Sequence, residues 1–438
     1  MAHPLRSILT IRRDEWPLAL LMYAYFFLVI SCFWILKPIK KTIFITFYDA
    51  GGFDLLGRHL LGSQAELLAK VLNMAVAFAA AVVFTWLARR LRRQQLSFVF
   101  CGFFLAAFVA YGRLVNDPGD GTVWSFYLFG DLFSTLMVAT FFSFLNDSVT
   151  PGAAKRLYGL VGLGGVTGGV FGSSFVRVWI DRLDNSSWLW ICFGIVLLIA
   201  GVAFAAGRRV DRNPPPEEPP QPVPAGGEKK QSAALEGARL VFRSRYLLAV
   251  VAIVGLYEIV STMMDFQFTA TIEHYLNGEA IGRQFSTVYT ITNVVSLVVQ
   301  LFFTSFVMTR FGVGRALLVL PVAVAAGSLG FLALPVLWVG SFLNTADNGF
   351  SYSINQSAKE ALYVPTSRDE KYKAKAFIDM FVQRFAKALA VGISLGITVV
   401  FREFGSLRYL SLVTVAIAVL WIFAARYAGR VFRERSEG

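Results

Sequence analysis

Residues 17–42 read PLALLMYAYFFLVISCFWILKPIKKT, twenty residues without a charge followed closely by Lys37, Lys40 and Lys41. At about 1.5 Å of rise per residue, twenty apolar residues make a helix of about 30 Å, the thickness of a bilayer's hydrocarbon core. The stretch therefore reads as a membrane-spanning helix that ends on a cluster of lysines. Arg6, Arg12 and Arg13 precede it, as in a signal peptide, but the apolar segment is too long for one and no small-residue cleavage site follows. A retained first helix is expected.

The pattern recurs along the chain. Spans are expected at roughly 17–36, 66–88, 96–116, 122–146, 155–178, 187–207, 246–272, 284–308, 314–336, 340–361, 376–401 and 407–428. Composition agrees: of 438 residues 56% are hydrophobic and only 16% charged, with a mean hydropathy of +0.59, far from the balance of a soluble domain. Between the sixth and seventh spans lies RNPPPEEPPQPVPAGGEKK, too polar and proline-rich to pack a core. The expected organisation is an all-α integral membrane protein of about twelve helices. A six-helix bundle (1–207) is followed by a cytoplasmic linker (208–245) and a second six-helix bundle (246–438).

Twelve alternating spans that start inside place 27 Lys and Arg residues in the cytoplasmic segments and 10 in the opposite ones, with Lys70, Lys359, Arg384 and Lys387 within spans. That bias puts both termini in the cytoplasm, and the expected location is the cell's inner membrane. It also accounts for most of the net charge of +13 without a nucleic-acid partner, since no aromatic-basic recognition motif accompanies the basic residues. Lys37, Lys40 and Lys41 then break the rule by lying on the far side or within the membrane. Spacings of three and four put them on one helical face if the helix runs on through Pro38. Two readings follow: snorkelling to the outer interface, or a cationic patch turned toward a cavity that holds an anion.

Other ionisable residues inside the spans carry the same message, because each costs at least ~2.5 kcal/mol at the bilayer centre and so faces a partner or a cavity. GDLFSTLMVATFFSFLND (130–147) sets Asp131 and Ser134 on one face. YEIVSTMMDFQFT (257–269) aligns Glu258, Asp265 and Thr269 with a hydroxyl at Ser261 or Thr262. NQSAKEALYVPTSRDEKYKAKAFIDMFVQRFAKALA (355–390) carries Lys359 and Glu360, then Lys371 and Lys373, then Lys375, Asp379, Gln383 and Lys387 every fourth position with Arg384 beside them. Such a stripe drifts slowly around a helix and suits a pathway lining or a gate.

Several chemistries are excluded. Cys32, Cys101 and Cys192 lie in apolar stretches with no CxxC, so neither a disulfide framework nor a metal site is expected. His3, His59 and His274 form no catalytic constellation, and neither an enzymatic centre nor a cofactor is expected. The glycines of GLVGLGGVTGG (159–169) lack the lysine and preceding strand of a phosphate-binding loop; small residues four apart instead let membrane helices approach closely.

Three of these segments, ILKPIKKTIFI (35–45), KRLYGLVGLGGVTGG (155–169) and above all KEALYVPTSRDEKYKAKAFID (359–379), resemble the ATP/ADP translocase family of obligate intracellular bacteria and plastids. The resemblance implies a major-facilitator-like fold and nucleotide exchange by alternating access. It maps the family's first-helix lysine onto Lys40, with Lys37 at a commonly basic position, and its fourth- and seventh-helix acids onto Asp131 and Asp265. Both are aspartates where glutamate is usual. The family's tenth- and eleventh-helix lysines fall on Lys359 and Lys375. One departure stands in the seventh helix, where the family's Trp-Lys is replaced by Phe266, Gln267, Phe268 and Thr269 after Asp265.

The expected function is a secondary transporter for an anionic solute, ATP, ADP or another nucleotide. Lys37, Lys40 and Lys359, with Lys375 or Arg384, are expected to pair with phosphates as compact, mobile charges. Asp131 and Asp265 are expected to hold those lysines in the empty site or to bind ribose and base. Glu258, Glu360, Asp379, Gln383 and Lys387 are expected to pair or gate. Two alternatives stay open: a proton- or ion-coupled carrier of another organic anion, and a membrane module that transports nothing.

Overall fold

In the computed structural model the residues described are 11–49, 51–55, 57–212, 230–367, 374–401 and 403–437. The proline-rich core of the expected linker (213–229) and the loop lysines Lys371 and Lys373 lie outside them. Almost everything described is helical. Six helices come first: α1 (Trp16–Asp49), α2 (Gly62–Ala88), α3 (Arg93–Leu114), α4 (Asp120–Ser148), α5 (Pro151–Trp179) and α6 (Asn185–Arg212). A two-stranded antiparallel hairpin, β1 (Phe53–Leu55) and β2 (Arg58–Leu60), joins α1 to α2, with Phe53 paired to Leu60.

After a short amphipathic helix, α7 (Lys230–Arg243), come α8 (Arg245–Tyr275) and α9 (Glu279–Val298), the latter continued through a π turn (Val299–Phe303) into α10 (Thr304–Arg310). Then follow α11 (Gly312–Ala333), α12 (Leu337–Phe350), a π turn (Ser351–Asn355) and α13 (Gln356–Ala361). The chain ends with α14 (Lys375–Phe377), a third π turn (Ile378–Val382), α15 (Gln383–Val400) and α16 (Leu407–Glu437).

Among the described residues, eleven helices are long and apolar enough to cross a membrane. The expected tenth span, 340–361, is not among them. There α12 is broken by the π turn, and its sequence carries Asn344, Asp347, Asn348 and Asn355. Those polar groups lower its hydropathy, and three of them, Asn344, Asp347 and Asn348, are hydrogen-bonded side chains.

The chain forms two compact units, Met1–Pro219 with Leu276–Val294, and Pro220–Tyr275 with Val295–Gly438. In the first, α1 is the central helix. Its Tyr23, Phe27 and Ser31, one turn apart, lie on Gly164, Gly168 and Gly172 of α5. A methyl group at Gly164 would stand 2.8 Å from the Tyr23 carbonyl oxygen, and one at Gly168 2.5 Å from that of Phe27. The glycine run is thus a contact surface between two backbones, pinned by the Ser31 hydroxyl donating to the Gly168 carbonyl at 3.2 Å. In the second unit α8 takes the central place, packed by α12, α15 and α16. The three π turns widen the helix locally, and such bulges recur at functional sites.

Candidate functional site

Within the first unit, α1 stays helical through Pro38, so Lys37, Lys40 and Lys41 project from one continuous helix. Lys40 is 5% exposed and ion-pairs with Asp131 of α4. Its path is opened by Gly130, where a methyl group would meet the Lys40 Cδ at 2.6 Å. The Lys40 ammonium sits 4.3 Å from the centroid of the Tyr127 ring. Asp131 spends its other oxygen on Asn73, whose Nδ2 donates at 2.9 Å. Lys41, also buried, lies 3.4 Å from Glu66 of α2, which is itself 3.6 Å from Lys70 and accepts from the Tyr127 hydroxyl at 2.7 Å. Lys37 is met by aromatic faces, with its ammonium 4.5 Å from the Trp34 ring and 4.8 Å from that of Tyr289.

Every ammonium of this cluster is thus charge-compensated or faces π density, as burial requires. Asp131 differs from Glu66 in one respect: its side chain is 27% exposed while that of Glu66 is 1% exposed. The Lys40–Asp131 pair is therefore the more exposed of the two, whereas Lys41–Glu66 is closed off on both sides.

Within the second unit the polar side chains of α8 and α12 interlock. Ser261 donates to Asp347 at 2.7 Å, Asn344 lies 3.5 Å from Asp265, and the Tyr257 and Ser351 hydroxyls are 2.5 Å apart. Asp347 is 1% exposed. Around them stand the cations. Lys359 has its ammonium 5.2 Å from the Tyr257 ring, and the charges acting on it are Glu258, Asp379, Glu360 and Lys375. Lys387 lies 3.5 Å from Glu258, Lys375 donates to Glu360 at 2.6 Å, and Gln383 donates to Asp379 at 3.3 Å. Arg384 is half-buried and makes no ion pair among the described residues. Asp265 accepts from the Asn344 amide.

Sequence reasoning passed over Glu66, Asn73 and Tyr127 in the first unit and Asn344 and Asp347 in the second. The signal was there: Glu66, Lys70 and Asn73, and again Asn344, Asp347 and Ser351, follow the spacing of three and four that singled out the α8 stripe. Glu66 stands at the expected edge of its span, where a charge draws no notice.

The fold defines a class first. The chain superimposes on a POT family transporter with a TM-score of 0.67 at 10% identity, over 96% of this chain and 99% of that one. It matches the nucleoside transporter NupG at 0.62 with 13% identity, over 95% and 99%, and the major facilitator superfamily transporter FucP at 0.53 with 15% identity, over 95% and 99%. The fold is major-facilitator-like.

Sequence narrows the class. The TLC ATP/ADP transporter family matches residues 121–338 and 333–432, and the chain belongs to that family. It is 24% identical over 360 residues to ADP,ATP carrier protein 1 of Chlamydia pneumoniae, spanning 74% of this chain and 70% of the relative. It is 22% identical over 472 residues to the plastidic ATP/ADP-transporter of Solanum tuberosum, spanning 92% and 71%. The protein is a multi-pass membrane transporter rather than an enzyme.

Proposed function

We propose that the protein exchanges ATP- and ADP-type nucleotides across a membrane by alternating access, with Lys40 as a principal phosphate partner. The observation that carries this reading is the Lys40–Asp131 pair, a buried ammonium whose only partly buried counter-ion is open to replacement. An incoming phosphate offers Lys40 the same charge as Asp131 with more acceptor oxygens, so the ion pair can be exchanged rather than merely broken. Lys37, between two aromatic rings, joins it as a further cation on α1.

In the second unit Lys359, Lys375 and Arg384 are the proposed phosphate-binding residues. Asp265 orients the site through Asn344. Glu258, Glu360, Asp379, Gln383 and Lys387 act as pairing or gating groups that change partners during the cycle. Obligatory exchange follows from electrostatics. Arg384 makes no ion pair among the described residues, so closing the empty transporter around its charge is costly, and bound polyphosphate removes that cost. The arginine and lysine bias among the loops supports an inner-membrane location with both termini in the cytoplasm. Residues 208–245 are then the tether between the N- and C-terminal halves.

A thermal-shift screen of the purified protein against nucleotides tests the assignment. ATP and ADP should stabilise the wild type and fail to stabilise Lys40→Gln. Equal stabilisation of both proteins would remove Lys40 from the site, and a shift with other organic anions but no nucleotide would overturn the substrate class.

A further inference from the structure

A second basic constellation lies at the end of two spans, apart from the lysines just described. Gly314 of α11 and Gly429 of α16 bring these helices together, to the point where a methyl group at Gly314 would sit 3.3 Å from the Gly429 Cα. Beside this contact opens a recess of about 400 Å³. Arg315 enters it from α11, and Arg426, Arg430 and Arg433 enter from α16. The last three recur at spacings of four and three, so they form one stripe. Glu434 is the single carboxylate lining the recess. Four guanidinium groups around one small space repel one another unless an anion lies between them.

The same two faces turn apolar toward the middle of each span. On α16 the stripe continues back through Phe423, 62% exposed, and Val419. On α11 it runs on through Leu318 to Val322. About twenty residues suffice to cross the hydrocarbon core, whereas α16 has 31; counted from Leu407, the arginine stripe begins where the core ends, at headgroup depth. We propose that this recess is a binding site for an anionic phospholipid, with the phosphodiester held by Arg315, Arg426, Arg430 and Arg433 and the acyl chains lying along Phe423 and Val322. Basic pockets between membrane helices are general recognition devices for such headgroups. A soluble phosphate has no use for the apolar continuation of both faces, which is why the lipid is the occupant.

Native mass spectrometry of the full chain in neutral detergent, titrated with dioleoyl phosphatidylglycerol or dioleoyl phosphatidylcholine, tests the site. The wild type should retain phosphatidylglycerol and not phosphatidylcholine, and Arg315→Gln/Arg430→Gln should bind phosphatidylglycerol roughly 30-fold more weakly. Arg89→Gln/Arg90→Gln, with the same loss of charge elsewhere, should bind it as the wild type does. Arg433→Gln, with an expected loss of about fivefold, keeps the test open if the double variant does not fold. The proposal is overturned if both lipids bind alike, if the arginine variants bind as the wild type does, or if millimolar inorganic phosphate displaces phosphatidylglycerol.

Discussion

Asp131→Asn removes the charge facing Lys40 while keeping the shape of the side chain. Lys40 is 5% exposed and the Asp131 side chain 27%, so the uncompensated ammonium is buried but lies beside a partly exposed position. The cost belongs at the low end of the range for breaking a buried pair, about 3 kcal/mol. With an unfolding entropy of about 2.1 cal/mol/K per residue, that lowers Tm by on the order of 3 °C. Nucleotide binding should move the opposite way. In the wild type a phosphate must displace Asp131 from Lys40, and in the variant it meets no competitor. The dissociation constant should therefore tighten by about tenfold, the lower bound for a charge-assisted hydrogen bond. Thermal unfolding and isothermal titration on the same purified protein check both signs. A variant that weakens nucleotide binding, as Lys40→Gln should, would show that Asp131 binds substrate directly and refute the exchange of partners.

Three further outcomes follow from other parts of the structure. Gly168→Val should overpack the α1–α5 contact and cost about 1–3 kcal/mol, read as a loss of Tm, whereas Gly194→Ala, with open space around the position, should be neutral. Glu15 is held below the usual carboxylate range, chiefly by its hydrogen bond to Arg156. Because the folded value is the lower one, the pair stabilises above the ordinary carboxylate pKa and fades as acid protonates Glu15; Glu15→Gln should flatten the fall in Tm between about pH 5 and 3, by no more than about 1 kcal/mol. Lys359→Gln should weaken nucleotide binding by about tenfold, while Lys387→Gln, whose side chain is 51% exposed, should change it less than threefold in the same titration, a pair so open to water contributing about 0.5 kcal/mol.

What could be read in advance divides along physical lines. Hydrophobic length made the spans legible, since a bilayer tolerates few alternatives to a twenty-residue apolar helix. Periodicity made the α8 stripe and the lysines of α1 legible, because a charge in a span must face inward. The glycine run was legible as a contact, and Gly164, Gly168 and Gly172 each lie against a carbonyl of α1. Partner choice was not legible. Nothing in α2 announces that Glu66 serves Lys41 or that Asn73 serves Asp131, for such pairings depend on which helices become neighbours. The π turn at Ser351–Asn355 was equally silent: no proline or glycine within it marks a break. It nonetheless places Ser351 beside Tyr257 and makes the tenth segment too short and polar to register as a span.

The central claim is exchange of nucleotide for nucleotide through a lysine site. Its most direct test is uptake of labelled ATP into proteoliposomes holding the wild type or Lys40→Gln, preloaded with ADP or with buffer alone. The account predicts uptake only with internal ADP, unaffected by collapse of the proton gradient and abolished by the substitution. Uptake into vesicles loaded with buffer alone, driven by the proton gradient and indifferent to Lys40, would contradict it.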